Sequence, residues 1–270
     1  MDATHVILTR FNLATPGREF AIRTQPGWLD GRFDLFRTWC LPAMGAQTDA
    51  RFRWLVFFDE GTPAPHRAEI ERLRREVPFE PVFTGLFASA GWGRAVREVV
   101  APTTEWLLTT RLDSDDALAC DFVERLRGAA RPEAAAWNFR HGLIRADDAL
   151  YAVRHPNNAF FSLSERMDGA IRTASDIQHM RLFEEGPVRQ IDGAPAWLQL
   201  VHGGNVSNRV RGRRIAADGA GARFGGRGLE GVVAPSAGAQ ALDRLALGPV
   251  RGLRDAASAG AQALRARLRL

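Results

Sequence analysis

The 270-residue chain contains no lysine, so all 36 of its basic side chains are arginine. No Schiff-base or other catalytic lysine can therefore be assigned. Cysteine is nearly as scarce: Cys40 and Cys120 are the only two. Both sit in apolar, helix-like surroundings and read as buried free thiols of a reducing cytoplasm. No eighteen-residue apolar run is present, so no membrane-spanning helix is expected. The opening Met1-Asp2-Ala3-Thr4-His5 is acidic and runs straight into an apolar segment, unlike a secretory leader. There is no internal repeat.

What remains is an ordinary globular composition, 46% apolar and 25% charged, long enough for one large α/β domain. The net charge of +5 is unevenly spread. Residues 211–270 hold eleven arginines against four acids, whereas residues 1–210 are slightly acidic, with 25 arginines against 27 acids. The basicity belongs to the tail, and the body carries no electrostatic footprint for nucleic acid.

Short apolar runs alternate with helix-like segments through the first half. His5–Thr9, Arg53–Phe58, Phe79–Thr84 and Glu105–Leu112 read as buried strands. Phe33–Met44, His66–Glu76, Ser89–Val100 and Leu118–Ala130 read as helices. That alternation predicts an α/β fold with a mostly parallel central sheet and helices on both faces. From Ala134 onward short strands and turns predict a mixed or antiparallel second half, a place for a second substrate. Beyond Arg209 the chain turns rich in Gly, Ala and Arg. The expected division is a domain over 1–210 and, over 211–270, a flexible linker followed by a basic amphipathic helix.

In open parallel sheets ligands bind at the carboxyl ends of strands. Arg10 and Asn12, Asp59, and Asp113-Ser114-Asp115-Asp116 all fall at such ends. In extended chain Asp113 and Asp115 would point to one side and share a divalent cation. A single acid there could equally cap the following helix, and Asp116 is the expected cap. Three carboxylates exceed what a cap requires, and they repel one another. Arg111 would share the face of Asp113. Arg94, within Gly91-Trp92-Gly93-Arg94, could meet phosphate beside glycines that admit close approach; a solvated helix face is its plainer role. Asp59 could receive a base or ribose, or simply close its turn. His202, before Gly203-Gly204-Asn205, is a candidate late ligand to metal or diphosphate.

At these residues the chain resembles the GT-A-type nucleotide-sugar transferases and, more narrowly, the rhamnosyltransferase family. The segments that carry the likeness are Thr9–Asn12, Phe36–Pro42, Phe52–Asp59, Thr110–Ala117, and Trp197–Gln199 with His202–Asn205. They span roughly residues 5–209, and the tail beyond Arg211 has no counterpart. The resemblance implies a Rossmann-like GT-A fold, a Mn²⁺ or Mg²⁺ ion at Asp113, Asp115 and His202, and a dTDP-, UDP- or GDP-sugar donor. The acceptor would be a hydroxyl of a glycan or lipid-linked glycan in polysaccharide biosynthesis.

Direct displacement with inversion needs a general base after the acidic turn. Asp176 is the first choice, with Glu165 and Asp168 as alternatives. Two rivals stand beside this reading. A nucleotidyltransferase also pairs carboxylates around Mg²⁺, but Thr15-Pro16-Gly17-Arg18 is a poor phosphate loop. A non-catalytic sugar-nucleotide-binding protein could instead be held on membranes by its tail. The expected location is the cytoplasm, with the tail offering peripheral contact to the inner face of the membrane.

Overall fold

The computed structural model describes residues 3–13, 22–85, 90–202, 209–226 and 229–254. Its first strand, β1 (Thr4–Arg10), is buried from His5 to Thr9. Alternate side chains enter different cores, as a strand of period two requires. Ile7 faces one way, with Trp54, Val56 and Phe58 of β2 (Arg53–Asp59). Val6 and Leu8 face the other, with Leu55 and Phe57 of the same strand. This burial on both faces is why these runs read as continuously apolar. Each fully buried Leu, Ile or Phe contributes about 1.5–3 kcal/mol.

Helices α1 (Trp28–Leu35) and α2 (Leu41–Gly45) are joined through a π-turn at Phe36–Cys40 and cover the first face. They are followed, after β2, by α3 (Ala64–Glu76), β3 (Glu80–Thr84), α4 (Ala90–Val99) and β4 (Trp106–Asp113). A two-residue β5 (Ala117–Leu118) and α5 (Phe122–Ala129) come next. The mixed half contains β6 (Ala135–Phe139), β7 (His141–Ala146), β8 (Ala149–Arg154), β9 (Ser162–Arg166), β10 (Val188–Ile191) and β11 (Trp197–Val201). β12 (Arg213–Ile215) and α6 (Ala237–Leu242) complete the described elements, the latter continuing helically through a π-turn to Arg254.

The main sheet has the order β10-β6-β9-β4-β1-β2-β3. β4, β1, β2 and β3 run parallel, and β9 is antiparallel to both β4 and β6. A second sheet, β12-β8-β7-β11-β5, stacks beside it. Trp197 of β11 is buried against Phe160, rings 5.0 Å apart and nearly parallel, and its Nε1 donates to the Phe139 carbonyl. Gly142 makes room for that ring: a Cβ there would sit 2.1 Å from it. Cys40 and Cys120 are both free thiols.

The expected α/β architecture and mixed second half are present, with two local corrections. The helix after the acidic turn starts at Phe122, not Leu118, because Ala117–Leu118 pairs with β11. The tail beyond 211 is also more integrated than its composition suggests. β12 adds to β8, and Phe224 and Leu229 are buried against the α2 side of the second sheet. Gly225, at φ 82°, lies against the Pro42 carbonyl, where a Cβ would come within 2.7 Å of backbone. One aromatic and one glycine thus anchor a stretch that otherwise looks like linker.

Candidate active site

The parallel strands bring their carboxyl ends to one edge. In the β1–β4 ladder Arg10 is directly opposite Asp113, about 4.8 Å away between backbones. At this edge a cavity of about 310 Å³ is lined by Arg10, Trp92, Arg111, Asp113, Asp176 and Gln178, among others. Four residues singled out from sequence thus meet around one space. Arg111 Nη2 donates to both oxygens of Asp113, at 3.2 and 3.1 Å.

β4 ends at Asp113, and the Asp116 N–H turns back to the Asp113 carbonyl. The alternation expected of extended chain therefore stops at Asp113. Asp115 sits in the turn, with its side chain 7% exposed. Its Oδ2 accepts from Arg32 Nη1 and from His202 Nε2, both at 3.0 Å, while Arg32 Nη2 donates to Ser114 Oγ at 2.7 Å. Burial alone would raise the Asp115 carboxyl. The Arg32 charge and the His202 hydrogen bond outweigh it and hold the group at about 2. Asp115 is thus an anion in a nearly dry place, kept so by its partners.

Asp116 does not cap a helix. It is 1% exposed, and its Oδ1 accepts the Leu200 N–H at 2.8 Å, tying the turn to β11. Burial, then the charges of Asp115 and Asp113, push its carboxyl well above the usual range. The residue before α5 is Asp121, which is held by Arg223.

The remaining candidates separate. Asn12 is 5% exposed; its amide donates to Thr62 Oγ1 and its oxygen accepts the Asp59 N–H, so it braces the edge from behind. Asp59 is engaged by Arg23 and by the Gly61 N–H. Arg94 is exposed on α4 and does not line the cavity, whereas Trp92 does. Gly93 packs on the Ile171 carbonyl, where a Cβ would lie 2.6 Å away. Gly93 therefore serves helix packing, whereas a Cβ on Gly91 would meet open space.

Asp176 ends a short 3₁₀ turn, Ala174–Asp176, in a reciprocal capping arrangement. The Thr173 N–H and hydroxyl both donate to its Oδ2, at 2.9 and 2.8 Å. Glu165 lies elsewhere. It is opposite Leu107 on β4, six residues before Asp113, or about 20 Å along the strand. Asp168 follows Met167, whose N–H bonds Glu105 at that same far end, and is exposed. Of the three carboxylates considered as a base, only Asp176 shares the cavity with Asp113.

Asp115 Oδ2 and His202 Nε2 fit one part of a cation site. Their 3.0 Å separation is what two adjacent ligands have when each is about 2.1 Å from an octahedral ion. Mg²⁺ and Mn²⁺ commonly take only one or two carboxylates, the other positions going to phosphate and water. Among the described residues no group of three His, Cys, Asp or Glu side chains converges tightly enough to hold a metal by itself. Gly203, Gly204 and Asn205 lie outside the described residues.

Arg32 is the site residue that sequence reading passed over. It lies on α1, 83 positions from Asp115, and its surroundings look like any charged helix face. No helix of the described residues is long and apolar enough to cross a membrane.

Comparison with known proteins adds a family. The family model described as "Putative rhamnosyl transferase" matches residues 4–214. No curated protein matches the chain. Among solved structures, S. aureus TarS is similar at 9% identity and TM-score 0.43, over 74% of this chain and 37% of its own. S. aureus TarS 1–349 in complex with UDP gives 11% identity and TM-score 0.42, over 74% of this chain and 60% of that one. The inositol-1-phosphate CTP transferase from T. maritima gives 11% identity and TM-score 0.35, over 73% and 89%. The chain thus spans about 37% and 60% of the two TarS chains.

Proposed function

The chain belongs to the family described as "Putative rhamnosyl transferase", and on that premise we propose that it is a hexosyltransferase-type glycosyltransferase of GT-A type. It moves a sugar from a nucleoside-diphosphate donor to an acceptor hydroxyl. The observation that carries this reading is the cavity in which Arg10, Arg111, Asp113 and Asp176 meet at the carboxyl edge of β1 and β4.

The chemistry divides among those residues. The guanidinium groups of Arg10 and Arg111 face the cavity and offer planar, charged donors for a diphosphate. Asp176 is the general base: Thr173 fixes one of its oxygens, so its orientation is set before substrate arrives. As the acceptor oxygen bonds to the anomeric carbon, its proton passes to Asp176. The bond from that carbon to the diphosphate oxygen breaks, and its electrons leave with the diphosphate, which Arg10 and Arg111 stabilise. Attack opposite the leaving group gives inversion. A Mn²⁺ or Mg²⁺ ion held by Asp115 and His202, with phosphate oxygens and water as its other ligands, would neutralise the charge that develops on the departing diphosphate, while Asp113 stays paired with Arg111.

The helix from Ala237 to Arg254 supports a peripheral membrane location. Its π-turn, with the Gly248 N–H bonding the Asp243 carbonyl, resets the helical register. Asp243 and Arg251 therefore pair on the inner side, while Leu242, Leu245, Val250 and Leu253 are 56–78% exposed. With eleven arginines against four acids in 211–270, this suits an anionic bilayer surface.

The test is a thermal-shift panel of UDP, dTDP, GDP and their sugars, each with and without Mn²⁺. Binding to the folded state raises stability as RT ln(1 + [L]/Kd). A shift that needs both one nucleotide and the cation is expected. No shift with any member of the panel at millimolar concentration defeats the reading.

A further inference from the structure

A second cavity, about 550 Å³, opens on the tail side of the molecule. Its walls are the end of β8, the turn His155-Pro156-Asn157, the start of β12 and the inner side of the C-terminal helix. Its charge is one-sided. Arg154, Arg211, Arg213 and Arg244 all line it, and the single acid among the lining residues, Asp243, is committed to Arg251 and the Arg214 N–H. Val153 and Pro249 give the space apolar walls. Asp243 is 3% exposed, so it does little to offset the arginines at the cavity mouth.

The two cavities are close neighbours. Gln178 lines the first, and the carbonyl of the next residue, His179, accepts from the Nδ2 of Asn157, which lines the second (3.4 Å). The wall between them is thus about one side chain thick here. Burial, followed by the Arg211 charge for His155 and the Arg111 charge for His179, brings both histidines down to about 4. Near neutral pH the dividing wall is uncharged, and the positive potential comes from the arginines.

We infer that this second cavity anchors the acceptor, taking a phosphate or diphosphate group that the acceptor carries, while the hydroxyl to be glycosylated reaches Asp176 next door. This rests on the glycosyltransferase reading of the first cavity. Guanidinium groups suit phosphate oxygens, and the apolar walls accommodate the carbon next to the phosphate. The exposed leucines of the same helix stand beside the opening, so a lipid-borne phosphate and a soluble phosphate ester are the two sources of that chemistry.

The experiment titrates the full-length protein with inorganic pyrophosphate and, separately, with dodecyl phosphate below its micelle concentration. Wild type is compared with Arg154→Ser/Arg244→Ser and with Arg10→Ser, and circular dichroism checks that each is folded. The double variant should weaken pyrophosphate binding at least tenfold at a site that Arg10→Ser leaves unchanged. Dodecyl phosphate binding tenfold tighter than pyrophosphate identifies a lipid-borne group, and equal binding a soluble one; both support the assignment. No saturable binding of either probe, or a loss that follows Arg10→Ser and not the double variant, overturns it. Arg213→Ser provides a second rim variant if the double one misfolds. The nucleotide thermal-shift panel fails or succeeds separately, so loss of the donor reading is not mistaken for loss of this one.

Discussion

His5 offers a direct measurement of how the sheet that carries Asp113 responds to acid. It is 1% exposed near the start of β1, and its Nε2 shares a hydrogen bond with Thr110 Oγ1 (2.8 Å), which in turn bonds Ser162 Oγ (2.6 Å). Burial, then the Arg127 charge, lower its pKa from 6.5 to about 3, against a weaker opposing pull from Asp49. The folded protein therefore keeps His5 neutral where the unfolded chain protonates it. Between those two values the unfolded state binds more protons, so stability falls as pH falls. From pH 7 to pH 5 this one group removes about 2 kcal/mol, 1.5 pH units below 6.5 at about 1.36 kcal/mol each. His5→Gln keeps a polar partner for Thr110 but cannot titrate. Urea unfolding of both proteins at pH 7 and pH 5 gives four free energies. The variant should lose about 2 kcal/mol less than wild type between the two conditions. Equal losses, within about 0.5 kcal/mol, would refute the claim that His5 is held neutral by burial.

Three further outcomes follow from the same geometry. Asp116→Asn keeps an oxygen for the Leu200 N–H and should change stability by less than about 1 kcal/mol, whereas Asp116→Ala leaves that buried donor bare and should cost about 1–3 kcal/mol; equal denaturation midpoints for the two would rule out the β11 tie. Gly142→Ala drives a methyl into the Trp197 ring and should destabilise by about 1–3 kcal/mol, read as a lower Tm and altered tryptophan fluorescence. Asp176→Asn should cut kcat about 10²–10⁴-fold with nucleotide affinity unchanged, and an unaltered kcat would remove it as the base.

Much of the fold was readable because its strands are buried on both faces. Within His5–Thr9 and Arg53–Phe58, every position from Val6 to Thr9 and from Trp54 to Phe58 is apolar or β-branched, which favours a short buried strand over a helix. The edge of the site was readable for the same reason: chemistry placed after such strands is placed at their carboxyl ends. What was hidden depended on contacts distant in sequence. Nothing around Arg32 indicates that its guanidinium lies under Asp115. The alternation rule placed Asp113 and Asp115 side by side, but the chain turns immediately after Asp113. Glu165 stood as an alternative base to Asp176 until the antiparallel register of β9 set it at the other end of β4. Composition suggested a linker after Arg211, yet Phe224 and Leu229 of that stretch are buried among mostly small or charged neighbours in sequence.

The three acids of the turn occupy three different environments. Side by side in water they would simply repel one another. Here each meets a different environment. Asp113 is 27% exposed and leans on Arg111 at the cavity wall. Asp115 is buried but kept ionised by Arg32 and His202. Asp116, deeper still, is pushed toward its neutral form and hydrogen-bonds β11. The upward push on the Asp116 carboxyl favours its uncharged form, which lessens the repulsion that Asp115 would otherwise feel and makes Asp115 easier to keep charged. It also links the turn to the strand that delivers His202, two residues beyond Leu200. Loss of the Asp116 tie would therefore be felt at His202 and Asp115 together, although neither touches the substituted atom. For this reason the Asp116 pair of variants reports on the assembly of the site as well as on its stability.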